Sequence, residues 1–464
     1  MRYTLSFNSA DYQRLVQHLF VGATTERAAY LLCSASHSDD ESRLLVRDVI
    51  PAAADEIEEA SDRHLVIKQH SYLRVIRQAA DAGESFIFVH SHPSNVPDHS
   101  DQDDKEEVGL FRAAYSRIHA EDAVHGSIVL SSGTRPVGRV WLEDGSHVLM
   151  DRIRVIGDRF SFYDRDLDSA ADISVFDRQI LAFGEEVQRL LRRLHIGVVG
   201  YGGTGSSVFE QLMRLGVGSI TVCDPQIFET TNINRVYGSR ITDQEKPKTA
   251  IAARHANELG LGTVVREFPK PITDLAVAKA FRDCDIIFGC TDDEWGRSIL
   301  IKLALYYLIP LIDLGVSIDS EGGNIRSVVG RITTIIPGTA CLLCRDRIDG
   351  TGILADVLRA TDPHAYEELV KEGYVRGLRG VEPSVVMFTT TTAAMALSEL
   401  MHRLTSYMGA DRIASEILIR FDDSKISRNS IAPKAECWCS QSGKVGIRLT
   451  QVAPTDCGLA LVFG

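Results

Sequence analysis

The sequence predicts an α/β protein of two domains, the second built on a mostly parallel sheet. Three observations carry this. Residues 1 to about 145 alternate short β-rich runs with helical stretches, whereas from about 176 strands alternate with longer helices, as in a parallel sheet. A glycine-rich turn, Gly200-Tyr201-Gly202-Gly203-Thr204-Gly205, ends one apolar run and opens a helix. At 464 residues, the chain is long enough for two or three domains with real cores.

In the first part, strands are expected over 28–34, 44–49, 86–89, 126–130 and 137–141. Helices are expected over 65–82 and 104–120, where apolar residues recur at three and four. Residues 1–150 then form one domain. Residues 151–175 read as a connector, because 164–172 is acidic with weak periodicity, and 176–464 form the second domain. There the expected order is strand 194–199, helix 204–216, strand 219–223, helix 248–259, and strands 285–290 and 309–314. The apolar stretch 385–404 predicts a long buried helix, although Thr389-Thr390-Thr391-Thr392 lowers its propensity.

Composition narrows the function. The chain is 44% hydrophobic and 24% charged, which fits a soluble globular protein. A net charge of −13 argues against a general nucleic-acid binder, which needs a basic field. No apolar run reaches the roughly 20 residues of a membrane helix, and Met1-Arg2-Tyr3-Thr4 does not begin a signal peptide, so a cytoplasmic location is expected. Nine cysteines is an odd number for a disulfide framework, so reduced thiols and metal ligation are expected.

The sharpest motif is His90-Ser91-His92-Pro93, with Asp103 eleven residues after the second His. The two His follow the apolar run 86–89, and residues two apart on a strand face the same way. Two imidazoles and a carboxylate are the three protein ligands of a catalytic zinc, leaving one position for water. With Ser100-Asp101-Gln102-Asp103, this segment resembles the JAMM (Mov34/MPN/JAB) metalloproteases. The resemblance implies that His90, His92 and Asp103 hold zinc and that Ser100 supports a tetrahedral intermediate. It also implies an upstream glutamate as general base. Glu26 is favoured because it precedes the apolar run 27–33, while its rival Glu41 adjoins the polar turn His37-Ser38-Asp39-Asp40.

The glycine-rich turn lets backbone N–H groups approach phosphates at a helix N-terminus, and Asp224 closes the next strand where a ribose-binding carboxylate is expected. Alone this predicts a dinucleotide, with NAD as the default. Asn232, Arg235 and Lys248 follow, with Arg178 upstream and Asp292 after Cys290-Thr291 where it can hold Mg²⁺. That many phosphate partners suit nucleotidyl transfer from ATP rather than hydride transfer. In order, Arg178-Gln179-Ile180-Leu181, Gly200/Gly202/Gly203/Gly205, Asp224, Asn232 to Arg235, Pro247-Lys248 and Cys290-Thr291-Asp292 resemble the ThiF/MoeB/ubiquitin-activating-enzyme superfamily over about 176–440. The resemblance implies a Rossmann-like domain that adenylates the C-terminal Gly of a ubiquitin-like protein. Asp224 would bind ribose, Asn232, Arg235 and Lys248 phosphates, and Asp292 Mg²⁺. Arg178 would reach the γ-phosphate in a neighbouring subunit of a homodimer. Gln226 departs from the pattern, since many members carry an acid there.

Cys341-Leu342-Leu343-Cys344 and Cys437-Trp438-Cys439 suit a four-thiolate structural zinc, although the second spacing is tight and Cys457 or His402 could complete a three-thiolate site. Cys33, Cys223, Cys284 and Cys290 read as small buried side chains. Residues 345–436 contain no cysteine, so a thioester on this crossover is not expected. The acyl-adenylate would be the product, or would pass to a cysteine of another protein such as a ubiquitin-conjugating-type enzyme. The expected function joins zinc-dependent processing of a ubiquitin-like or sulfur-carrier protein to ATP-dependent activation of its terminal Gly. Sulfur transfer for a cofactor and a non-catalytic modifier-binding platform remain as alternatives.

Overall fold

The computed structural model describes residues 1–62, 64–93, 98–131, 135–165, 172–372 and 383–440. The chain divides into two compact units, Met1–Asp168 and Ser169–Lys444.

The first unit runs β1 (Arg2–Asn8), α1 (Ser9–Phe20), β2 (Ala28–His37), β3 (Glu41–Pro51), β4 (Ile57–Ala60), β5 (Leu65–Ile67) and α2 (Gln69–Ala82). It continues with β6 (Ser85–His92), α3 (Asp101–Tyr115), β7 (His125–Ser131), β8 (Val137–Trp141), β9 (His147–Leu149), β10 (Arg152–Ile156) and β11 (Phe160–Asp164). Nine of these strands form one mixed sheet, in the order β11-β10-β1-β3-β2-β6-β7-β8-β9. Alternation divides each central strand between two cores. Leu31, Cys33, Ile87 and Val89 pack with Leu15 and Leu19 of α1. Tyr30, Phe86 and Trp141 pack with Val75 and Ile76 of α2 and Phe111 of α3. Both faces are covered, so β2 and β6 read as continuous apolar runs rather than alternating ones.

Two sequence expectations need correction here. Residues 65–67 are not helical: Leu65-Val66-Ile67 pairs as a strand with β4, and α2 begins at Gln69. Nor is 151–175 merely a connector, because β10 pairs in parallel with β1 and β11 extends the sheet. The charges that hid these strands are buried and paired. Arg152 donates to Asp164 at 3.1 Å, and Arg154 to Glu41 at 2.9 Å.

The second unit runs α4 (Asp177–Phe183), α5 (Glu185–Arg193), β12 (His195–Val199), α6 (Gly203–Arg214), β13 (Ser219–Cys223), α7 (Lys248–Leu259), β14 (Val264–Phe268), α8 (Leu275–Phe281) and β15 (Ile286–Gly289). Then come α9 (Glu294–Tyr306), β16 (Leu311–Glu321), β17 (Asn324–Ile335), α10 (Gly350–Thr361), α11 (Pro363–Lys371), α12 (Val386–Thr405), β18 (Glu416–Arg420) and β19 (Lys425–Asn429). The sheet order is β14-β13-β12-β15-β16-β17-β18-β19. The first five strands in this order are mutually parallel, so the sheet is mostly parallel as expected. The remainder is antiparallel: β16 and β17 form a hairpin through Gly322-Gly323, both at positive φ, and β18, reached after α10–α12, pairs with β17 and with β19.

The threonine run does not break α12. Thr391 and Thr392 each donate a hydroxyl at 2.8 Å to the carbonyl four residues back, which satisfies them inside the helix. Among the described residues, no helix is long and apolar enough to cross a membrane.

Candidate functional site

In the first unit, β6 ends on His90 and His92, two residues apart and therefore on one face. The spacer Ser91 points the other way and fixes the neighbouring segment. Its N–H donates to the Arg27 carbonyl at 3.0 Å, and its hydroxyl accepts the Arg27 N–H at 3.0 Å. That clamp holds Glu26 just ahead of β2 and beside the imidazoles. Asp103 comes from the first turn of α3, where Ser100 is the N-cap. The Ser100 hydroxyl accepts the Asp103 N–H at 3.2 Å and donates to the Asp103 carboxylate at 2.8 Å.

The side chains converge. His90 Nε2 lies 3.2 Å from His92 Nε2 and 3.2 Å from Asp103 Oδ1, and His92 Nε2 lies 3.8 Å from Asp103 Oδ2. Ligands about 2.0–2.1 Å from a tetrahedral zinc stand about 3.3 Å from one another, so this donor set fits the ion. Glu26 Oε1 is 3.9 Å from His92 Nε2, outside the three ligands yet next to them. Burial pushes the Glu26 carboxyl up to about 7, against the pull of His90, which puts a proton acceptor in the working range. Burial disfavours the charged form of His90, but the hydrogen bond and charge of Asp103 outweigh it and raise the imidazole. Glu41 is elsewhere. It sits where β3 meets the far end of β2, locked between Arg43 at 3.0 Å and Arg154 at 2.9 Å.

Two residues not singled out from sequence also belong to this site. The His99 ring stands edge-on 6.2 Å from that of His90, with Nε2 3.1 Å from Ser127 Oγ. Glu107 accepts from Ser127 Oγ at 2.6 Å, Arg139 Nε at 3.0 Å and Trp141 Nε1 at 2.7 Å. Its signal was its place one helical turn after Asp103, which puts both carboxyls on one face of α3.

In the second unit, β12 runs into the glycine-rich turn. Gly200 has φ +91°, and a Cβ there would meet the Cys290 carbonyl oxygen at 2.8 Å. A Cβ on Gly205 would lie 1.8 Å from the Gly200 carbonyl oxygen, while one on Gly203 would press Arg235 and Thr389 at 3.3 Å. Gly202, the N-cap of α6, has nothing within 4 Å of its Cβ position, which leaves the helix N-terminus open to a ligand. The Tyr201 N–H donates to Asp224 Oδ2 at 2.6 Å and the Gln226 N–H to Asp224 Oδ1 at 2.8 Å. Burial raises the Asp224 carboxyl despite the pull of Lys248. The Lys248 ammonium, itself buried, donates to Gln226 Oε1 at 2.6 Å. Asn232 caps its own turn by accepting the Glu229 N–H at 3.2 Å, and Arg235 donates to the Thr231 carbonyl at 2.9 Å. Asp292 is exposed just beyond β15, and Arg178 is exposed on α4.

The four cysteines of the two pairs meet. Cys341 Sγ is 3.7 Å from Cys437 Sγ, and Cys344 Sγ is 3.5 Å from Cys439 Sγ. All four sulfurs lie within 4.8 Å of one another. Four sulfurs about 2.3 Å from one zinc stand about 3.8 Å apart, so this set fits as well. Hydrogen bonding from Cys439 brings the Cys341 thiol down to about 6, whereas burial pushes Cys437 up to about 11. His402 is not in this cluster: its Nδ1 accepts the Met408 N–H at 3.2 Å. Cys457 lies outside the described residues. Cys33, Cys223 and Cys284 are buried, but Cys290, just past the end of β15, is only partly so.

Residues 176–440, more than half of the chain, match the ThiF family. The chain belongs to the ThiF family. It is 28% identical over 164 residues to the sulfur carrier protein ThiS adenylyltransferase of Bacillus subtilis, an alignment covering 35% of this chain and 46% of that protein. It is 27% identical over 167 residues to ubiquitin-like modifier-activating enzyme 5 of Dictyostelium discoideum, covering 33% of this chain and 42% of that one. The chain thus spans under half the length of each of these relatives. A crystal structure of E. coli MccB with ATP superposes with a TM-score of 0.45 at 19% identity, over 60% of this chain and 76% of MccB. All the expected nucleotide residues of this ThiF chain stand on loops and helix starts at the C-terminal ends of β12, β13 and β15, apart from Arg178 on α4.

Proposed function

We propose that the ThiF unit adenylates the C-terminal carboxylate of a small protein ending in glycine, either a ubiquitin-like modifier or a sulfur carrier, with ATP and Mg²⁺. The open N-terminus of α6, coupled through Tyr201 to Asp224, is the observation that carries this reading. Asp224 accepts ribose hydroxyls, while the amides after Gly202 meet phosphate. The modifier's carboxylate attacks the α-phosphorus, the bond to the bridging oxygen breaks, and pyrophosphate leaves. Arg235 and Lys248 neutralise the charge that builds on those oxygens, with Lys248 leaving Gln226 to do so. Asp292 holds Mg²⁺, and Arg178 reaches the γ-phosphate bound to a second copy of the chain. With no cysteine in 345–436, the acyl-adenylate leaves this chain as such, for sulfur transfer or for a cysteine of a ubiquitin-conjugating-type enzyme. Incubation with Mg-ATP and a candidate modifier should add an adenylyl group to the modifier, read by mass spectrometry. A modifier that stays unmodified while ATP binds would count against the proposal.

The same proposal gives the first unit a JAMM-type zinc (iso)peptidase activity that exposes the terminal Gly or removes the modifier from conjugates. His90, His92 and Asp103 would hold the ion, which supplies Lewis acidity and lowers the pKa of water toward neutrality. Glu26 takes up the proton of the attacking water at its carboxylate, and the amine leaving group later receives it. Ser100, turning its hydroxyl away from the Asp103 carboxylate, would donate toward the developing oxyanion. A structural zinc in the cysteine cluster completes the metal content.

A further inference from the structure

Among the buried polar atoms of the first unit that lack a hydrogen-bond partner among the described residues, two stand beside the candidate metal ligands and are complementary. One is His90 Nδ1 and the other is Glu107 Oε1. When His90 Nε2 is committed to a metal, Nδ1 carries the proton and must donate it. Glu107 Oε1 can only accept while the carboxyl is ionised. The second oxygen of Glu107 is already saturated by Ser127, Arg139 and Trp141, which fix the carboxyl from three sides. Register puts the two groups together. Ser127 lies opposite Phe88 in β6 and opposite Arg139 in β8, His90 is the next residue on the Phe88 face, and its ring stacks on Phe88 at 5.4 Å. Buried groups without partners are uncommon in folded proteins, and two matched ones at neighbouring positions call for an account.

We propose that Glu107 is the positioning residue of the first metal site, accepting the His90 Nδ1 proton directly or through one buried water. Its carboxylate fixes the tautomer that leaves Nε2 free to ligate, holds the ring plane, and makes the imidazole a better donor. The inference rests on the zinc reading of His90, His92 and Asp103.

The test uses the full chain loaded with zinc and titrated with a chelator, with His90→Ala identifying which of the two metal losses belongs to this site. Glu107→Gln should weaken that site by about 10- to 100-fold and leave the cysteine cluster unchanged. Trp141→Phe, which removes one bond to the other oxygen, should keep it within about threefold. In the cobalt(II)-loaded chain, the ring N–H protons of the ligating histidines appear as exchangeable, strongly shifted resonances. One of them should move or exchange faster in Glu107→Gln. Unchanged affinity and resonances in Glu107→Gln, or an equal loss in Trp141→Phe, would overturn the assignment of Glu107 alone. A wild-type chain whose metal content His90→Ala does not alter would overturn the zinc reading and this inference with it.

Discussion

The backbone N–H of Tyr201 donates to the Asp224 carboxylate at 2.6 Å, joining the glycine-rich turn to the end of the next strand. This bond ties the turn to the carboxylate, so that the proposed ribose and phosphate contacts would be set by a single piece of backbone. Asp224→Asn keeps the shape, but its neutral carbonyl can accept from only one of the Tyr201 and Gln226 N–H groups and its NH2 opposes the other. ATP binding, measured by calorimetry, should weaken at least tenfold, because two amides lose a charged acceptor (about 1.5–3 kcal/mol each). An unchanged affinity would detach Asp224 from the nucleotide.

Glu26 tests the first unit separately from metal binding. It stands 3.9 Å from His92 but outside the three converging ligands. Glu26→Gln should retain zinc and lose cleavage of a modifier fusion by on the order of 10²-fold or more. Full activity in the Gln variant would remove Glu26 from the chemistry.

Glu41 is predicted to act on stability alone. Its carboxylate is buried between Arg43 and Arg154, and their charges hold it well below the usual range despite burial. A depressed folded-state value contributes stability above the unfolded pKa, about 4.3, and loses it as pH falls through the folded value. Glu41→Gln should cost about 3 kcal/mol or more at pH 7 and flatten the acid limb of the unfolding curve below about pH 4. Acid profiles of the same shape for both proteins would contradict the pairing.

The cysteine cluster predicts a second metal. Cys344→Ser should release one zinc per chain and lower the melting temperature of the ThiF unit, since three thiolates and a hydroxyl hold the ion poorly. Full zinc content in that variant would place the metal elsewhere.

Much of both sites was legible because their residues are close in sequence or anchored to apolar strands. His90 and His92 follow the run 86–89, and the Gly200–Gly205 turn follows the run that became β12. What escaped was set by tertiary pairing. Arg152 and Arg154 look like surface charges, yet burial against Asp164 and Glu41 makes β10 an interior strand. Glu107 carried only its spacing of one helical turn from Asp103, and its environment comes from Ser127, Arg139 and Trp141 on β7 and β8. The antiparallel end of the second sheet was missed because β17 to β19 carry charged, exposed ends that resemble loops.

A shared active site is predicted from Arg178, exposed on a helix with no buried side chains. Mixing Arg178→Ala with Asp292→Ala chains should restore part of the adenylation that each lacks alone, up to about a quarter of wild type if hybrids form at random. Absence of recovery despite demonstrated subunit exchange would confine each site to one chain.

The most direct measurement of the central claim is ATP–pyrophosphate exchange by the full chain, screened against small proteins ending in glycine. Exchange should require Mg²⁺ and the free terminal carboxylate, stop when that carboxyl is amidated, and fall at least a hundredfold in Asp292→Ala. No thiol-sensitive adduct should accompany it. Exchange that persists with the amidated protein, or none with any such partner while ATP binds, would contradict the account.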